Sequence, residues 1–214
     1  MIEVEVPFYG NPGGRCVQAC TAMTILSYEP ELVIDDGLLD EMTGYVKGHP
    51  TWPMKGILSL YDRGYEVEIV EESDYRRFAE EGVDYLSEIY DGESLEYQSA
   101  RTDFDAEQAR AKEMLEIVEP EIRKATLDDI AHYLENDWRV QTEVNGCTLV
   151  GRTDYIGHFV MVKGVYDDKL VLQNPVGGYG PNKNGIENQI VDVNLFNQAW
   201  SQGNFALRAF RKQS

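Results

Sequence analysis

The sequence predicts an α+β fold, and three observations predict it. Helical periodicity dominates the first part of the chain, a dense acidic block of good helix formers follows, and after Trp138 the pattern changes to short β-branched and aromatic runs separated by Gly, Asp and Asn. With 214 residues, 43% apolar and 11% aromatic, the chain is long enough to bury about 70% of its unfolded surface. We read residues 1–214 as one domain in three parts: a helical lobe over 1–72, an inserted acidic helical block over 73–125 and a β lobe over 126–214.

Taken in order, "IEVEVPF" alternates with period two and reads as a strand, which "YGNPGG" breaks with Pro and three Gly. From Arg15 to Tyr28 there is no Pro or Gly, and Cys16, Ala19, Cys20, Met23 and Leu26 recur at helical spacing. "DDGLLDEMTGY" and "TWPMKGILSLYDRGY" give two short helices, the second ended by Gly64, and "EVEIVEE" a strand. Residues 73–118 read as two or three helices with a softer break at "DGES". "TLDDIAHYLEND" is a helix with Thr126 as N-cap and Asp129 at the third helical position, close to a capping box. The strands are "WRVQTEV", "GHFVMVKGVY", "KLVLQNP", "NQIVDV" and "FALRAF", with one helical turn, "NLFNQAW", before the last.

Charge narrows the partners. Against 38 Asp and Glu stand 19 Lys and Arg, which disfavours a nucleic-acid backbone or an anionic membrane and suits cationic peptides. The start lacks the basic and apolar stretches of a secretory signal, and no apolar run approaches the roughly 18 residues of a membrane span. A cytoplasmic location with reduced cysteines is the expectation, since three cysteines are too few for a disulfide scaffold.

Chemistry gathers at three residues. A thiol reacts as its thiolate, and a helix N-terminus lowers its pKa through unpaired N–H groups and the macrodipole. Cys16 stands at that position, Cys20 lies one turn deeper, and Gly13 and Gly14 allow a tight turn whose amides can face an oxyanion. Of the three histidines, His132 falls mid-helix and His49 in a turn, whereas His158 opens a strand. Sixteen residues on, the next strand ends in Asn174, so a two-strand hairpin would carry its carboxamide beside the imidazole, where it can set the tautomer.

"CVQACTAMTILSY" resembles the nucleophile helix of papain-like cysteine peptidases, above all the bacteriocin-processing group that cleaves after double-glycine leaders, and "GHFVMVKGVYDDKLVLQNPVGG" resembles its histidine strand, hairpin and Asp-Pro or Asn-Pro turn. "TLDDIAHYLENDWRVQTEV", "FNQAW" and "GNFALRAF" continue the likeness, which spans roughly 1–72 and 120–212. It implies a papain-like fold, a helical lobe packed on a C-terminal antiparallel sheet, with Cys16 as nucleophile, His158 as general base and Asn174 as orienting residue. The family's oxyanion glutamine, six residues before the cysteine, is Gly10 here, which makes Asn11 the candidate for that role. Its Gly-Pro after the cysteine is replaced by Val17 and Gln18.

A cysteine peptidase acting on peptide or isopeptide bonds, with no cofactor or metal, is the first expectation. A catalytically silent peptide-binding relative and a cysteine-dependent acyl transferase are the alternatives. Cys20 and Cys147 read as small buried apolar residues, and a four-residue cysteine spacing on one helix is poor zinc-site chemistry. Trp52 and Trp200 read as core or groove walls, and "GGYGPNKNG" either as a flexible loop beside the site or as a long hairpin turn.

Overall fold

The computed structural model describes residues 1–10, 13–175 and 185–213. Asn11 and nearly all of "GGYGPNKNG" therefore lie outside the described residues.

The fold is α+β. The helical lobe contains α1 (Cys16–Leu26), α2 (Asp36–Thr43) and α3 (Pro53–Asp62). Local chemistry sets the ends of α2 and α3: the Asp35 carboxylate caps α2 at the Leu38 amide, Gly44 closes it with a left-handed φ of 66°, and Pro53 opens α3 where its missing N–H costs nothing. Strand β1 (Ile2–Glu3) is shorter than its alternation suggests, because only these residues pair with the end of the later strand β5.

After strand β2 (Tyr65–Glu71), the acidic block folds into four helices where two or three were expected. They are α4 (Tyr75–Glu81), α5 (Val83–Ile89), α6 (Gly92–Ser99) and α7 (Phe104–Leu115), and the extra break falls at Gly82, while Asp91 of "DGES" caps α6. A two-residue strand unmarked in the sequence, β3 (Glu121–Ile122), adds to β2 in parallel, so the sheet is not wholly antiparallel.

The rest follows the expected order: α8 (Leu127–Glu135), β4 (Arg139–Asn145), β5 (Gly157–Val165), β6 (Lys169–Asn174), β7 (Ile186–Asp192), α9 (Val193–Ser201) and β8 (Leu207–Lys212). Thr126 and Asp129 close a full capping box on α8. The strands form one sheet in the order β3-β2-β8-β4-β5-β6-β7, with β1 on β5 beyond the end of β4. The C-terminal strand β8 is thus the bridge between the two lobes, pairing with β2 on one side and β4 on the other.

Both faces of the sheet are covered, which is why "HFVMV" reads as a continuous apolar run. On one face Val140, Val144, Val160, Val162, Leu207 and Ala209 pack with Ile130 and Leu134 of α8 and with Phe196 and Trp200 of α9. On the other, Phe159 and Met161 meet Val17, Cys20 and Met23 of α1, while Ile69 and Phe210 join the core of the helical lobe. Trp200 is fully buried and Trp52 stacks on Phe78 with ring centroids 5.4 Å apart, so the first is core and the second lines the helical lobe. Cys20 and Cys147 are free and fully buried.

Candidate active site

Cys16 is the first residue of α1. The turn before it uses Gly13 and Gly14 at φ of 90° and 75°, a left-handed region that other residues avoid. Arg15 caps the helix without a side-chain bond; its guanidinium is drawn instead to Asp36, at 3.2 Å, and to Asp40, and so ties α1 to α2. That positive charge is therefore neutralised away from the thiol.

The Cys16 sulfur is partly buried against Val6, Val17 and Phe159. Main-chain N–H groups of Phe159, Val17 and Cys16 itself lower its pKa, but burial outweighs them and the carboxyl of Glu143 adds to the rise. The thiol is pushed up to about 11. The expectation that the helix N-terminus would lower it is thus reversed, because desolvation of a thiolate exceeds the pull of a few amides.

His158 is the second residue of β5, and Asn174 is the last of β6. The two strands pair antiparallel with Met161 opposite Gln173 and Val162 opposite Leu172, so the hairpin returns Asn174 toward the start of β5. Imidazole Nε2 and carboxamide Oδ1 are 2.8 Å apart, and both residues are almost fully buried. The orientation of the amide is fixed from behind: Asn174 Nδ2 donates to Gln189 Oε1 at 2.6 Å, and Gln189 Nε2 donates to the Leu149 carbonyl at 3.3 Å. Asn174 Oδ1 is therefore the acceptor, the proton sits on Nε2 of His158, and Nδ1 carries the basic lone pair.

Burial lowers the His158 pKa to about 4, against a small opposing effect of the Asn174 hydrogen bond, so the ring is neutral at pH 7. Strand alternation sets His158 in the row of Val144, its cross-strand partner, and Phe159 in the row that faces α1. Cys16 meets β5 at the main chain of Phe159, one residue along the strand from His158.

Gln18 is no part of this group. It is fully buried and donates to Thr43 at 2.7 Å, tying α1 to α2. His132 lies on α8, and His49 lies in a turn and bonds to the carbonyl of Arg101. Two residues that sequence reasoning passed over belong to the surroundings. Gln189 gave no signal beyond its place on an alternating strand, and Glu143 was one carboxylate among many.

Glu143 is paired across the strands with Phe159. Burial and the neighbouring Glu71 carboxylate raise its pKa against the pull of Arg208, leaving it at about 7.

No protein-family model matches the chain, and no curated protein matches it. Among solved structures it is similar to the peptidase domain of Streptococcus ComA, a bifunctional ABC transporter involved in a quorum-sensing pathway, at 11% identity and a TM-score of 0.49, covering 98% of this chain and 100% of that one. It is also similar to a protein designated a C39-like peptidase from Bacillus anthracis, at 16% identity and a TM-score of 0.34, over 50% of this chain and 57% of the other.

Proposed function

We propose that the chain is a cysteine peptidase that hydrolyses peptide or isopeptide bonds through Cys16, His158 and Asn174. The observation that carries this is the oriented His158–Asn174 pair, set on the strand whose next residue faces the Cys16 sulfur. Two neutral groups make the resting pair, so the thiol proton moves to Nδ1 of His158 as sulfur attacks the carbonyl carbon. The developing oxyanion falls to the Cys16 amide at the helix start, with Asn11 kept as the second donor. The imidazolium then protonates the departing amine, leaving a thioester, which water hydrolyses with His158 again as base. The substrate is a peptide or protein and the setting a reducing cytoplasm. Among the described residues no helix is long and apolar enough to cross a membrane.

One observation favours a second reading. The burial that pushes the thiol to about 11 is also what a silent peptide-binding relative would tolerate. A peptide-library digest comparing the native chain with Cys16→Ala, read by mass spectrometry for cleaved products and a trapped acyl-enzyme, separates the two. Cleavage that disappears in Cys16→Ala supports the peptidase; identical libraries from both proteins refute it. Adding a primary amine shows whether the acyl group passes to nitrogen in place of water, as an acyl transferase would require.

A further inference from the structure

Glu143 of β4 lies across from Phe159, the residue whose main chain faces the Cys16 sulfur, and in one row with Gln141, which donates to Thr24 of α1 at 2.9 Å. Alternation therefore puts its carboxyl on the sulfur's side of the sheet. The cation nearest to it, Arg208, is 3.7 Å away and is already held at 2.7 Å by Glu71. One guanidinium serves two carboxylates, so an ionised Glu143 leaves the group with an excess negative charge. The Glu143 side chain is 30% exposed against 3% for both Glu71 and Arg208, so it is the member that opens outward.

Next to it is Gly157, an exposed residue. A Cβ there would stand 3.4 Å from the Tyr155 hydroxyl and 3.7 Å from Glu143 Oε1, so a phenol and a carboxylate converge on a surface position that carries no side chain. Gly157 has no left-handed φ, and the backbone alone does not call for glycine there. Burial and the Glu143 carboxylate raise the pKa of the Tyr90 phenol, just past the end of α5. A carboxylate beside a tyrosine hydroxyl suits an ammonium or guanidinium, and one open carboxylate offers too few ligands for a divalent metal.

We propose that the Glu143 carboxylate receives a lysine or arginine side chain of the peptide held at Cys16 and selects it. This deepens the peptidase reading and rests on Cys16 as the reacting thiol. The net charge of −19 draws cationic peptides toward such a site.

The test uses the thiol itself. Cys16 is modified with cationic 2-aminoethyl methanethiosulfonate and with neutral methyl methanethiosulfonate, and the site is confirmed by mass spectrometry. The ratio of the two rates is divided by the same ratio for a cysteine in an unstructured peptide. We expect a normalised preference for the cationic reagent of about two- to fivefold, the scale of one partly exposed ion pair, falling to about one in Glu143→Gln. A native ratio near one overturns the proposal without any variant, as does a preference that persists in folded Glu143→Gln. Peptides with lysine or norleucine beside the cleaved bond give the second arm. Equal kcat/KM for both removes the role of Glu143 and leaves the peptidase standing, whereas no cleavage of either, with the cationic preference at Cys16 intact and lost in Glu143→Gln, removes the peptidase and keeps the role of Glu143 as a cation site.

Discussion

Nε2 of His158 is 2.8 Å from Oδ1 of Asn174, across a hairpin that separates the two by 16 residues. The bond does more than join two polar groups. It begins a chain of donors that runs from the ring through Asn174 and Gln189 to the Leu149 carbonyl, each acceptor orienting the donor before it, and so selects one tautomer of a buried imidazole.

Loss of any link should appear in turnover before it appears in binding. His158→Ala should lower kcat by about a hundredfold or more, the scale of general acid–base catalysis. Asn174→Ala should cost roughly tenfold, and Gln189→Leu less, since the ring keeps its first partner. Steady-state kinetics on a cleaved peptide check this; a raised KM with unchanged kcat in Asn174→Ala would contradict an orienting role.

The buried imidazole also fixes a pH dependence. In the unfolded chain a histidine binds its proton near pH 6.5, whereas folded His158 binds only near pH 4, so the folded state holds fewer protons between those values. Stability is therefore full above pH 6.5 and falls as pH drops toward 4, by up to roughly 3 kcal/mol from this one group. Urea unfolding at pH 7 and 4.5 should show a smaller loss for His158→Gln than for the native chain. Equal losses would mean that the ring is accessible to protons.

Thiol reactivity should follow burial. With Cys16 at about 11, its alkylation by iodoacetamide should climb steadily from pH 7 to 10 with no plateau near neutrality. The Glu143 carboxylate contributes to that rise, so Glu143→Gln should move the curve to lower pH. A rate already saturated at pH 7 in the native protein would show a stored thiolate.

Glu71 and Arg208 form an ion pair at 2.7 Å with both side chains only 3% exposed, and Arg208 Nε and Nη1 have no hydrogen-bond partner among the described residues. Removing this carboxylate takes away the shorter of Arg208's two ion pairs and leaves it only Glu143 at 3.7 Å and the Tyr75 hydroxyl at 3.2 Å. Glu71→Ala should destabilise by about 3 to 5 kcal/mol, while Arg208→Met with Glu71→Met should cost far less. Thermal unfolding of both variants decides this, and equal loss in the two would place the stability in packing.

Gly203 sits against the carbonyl of Glu143, where any Cβ meets main chain that has no room to yield. Gly203→Ala should cost at least about 3 kcal/mol and shift the strand that carries Glu143. Chemical denaturation measures the loss; a neutral outcome would mean that β4 slides freely.

Much of the architecture follows from local pattern alone. The periodicity of residues 15–28, the Thr126–Asp129 capping box and the short β5–β6 connection are contacts between near neighbours, and these the sequence determined by itself, including the return of Asn174 toward His158. What the tertiary structure decided involves residues far apart in the chain. The extra helix boundary at Gly82 and the insertion of β8 between β2 and β4 are set by packing and pairing that no window of sequence contains. The same holds for the thiol: helix position alone favoured a thiolate, but Phe159, Glu143 and the surrounding apolar side chains arrive from elsewhere and exclude the water that a thiolate needs. Periodicity acts over a few bonds, whereas desolvation and charge depend on which distant segments close around an atom.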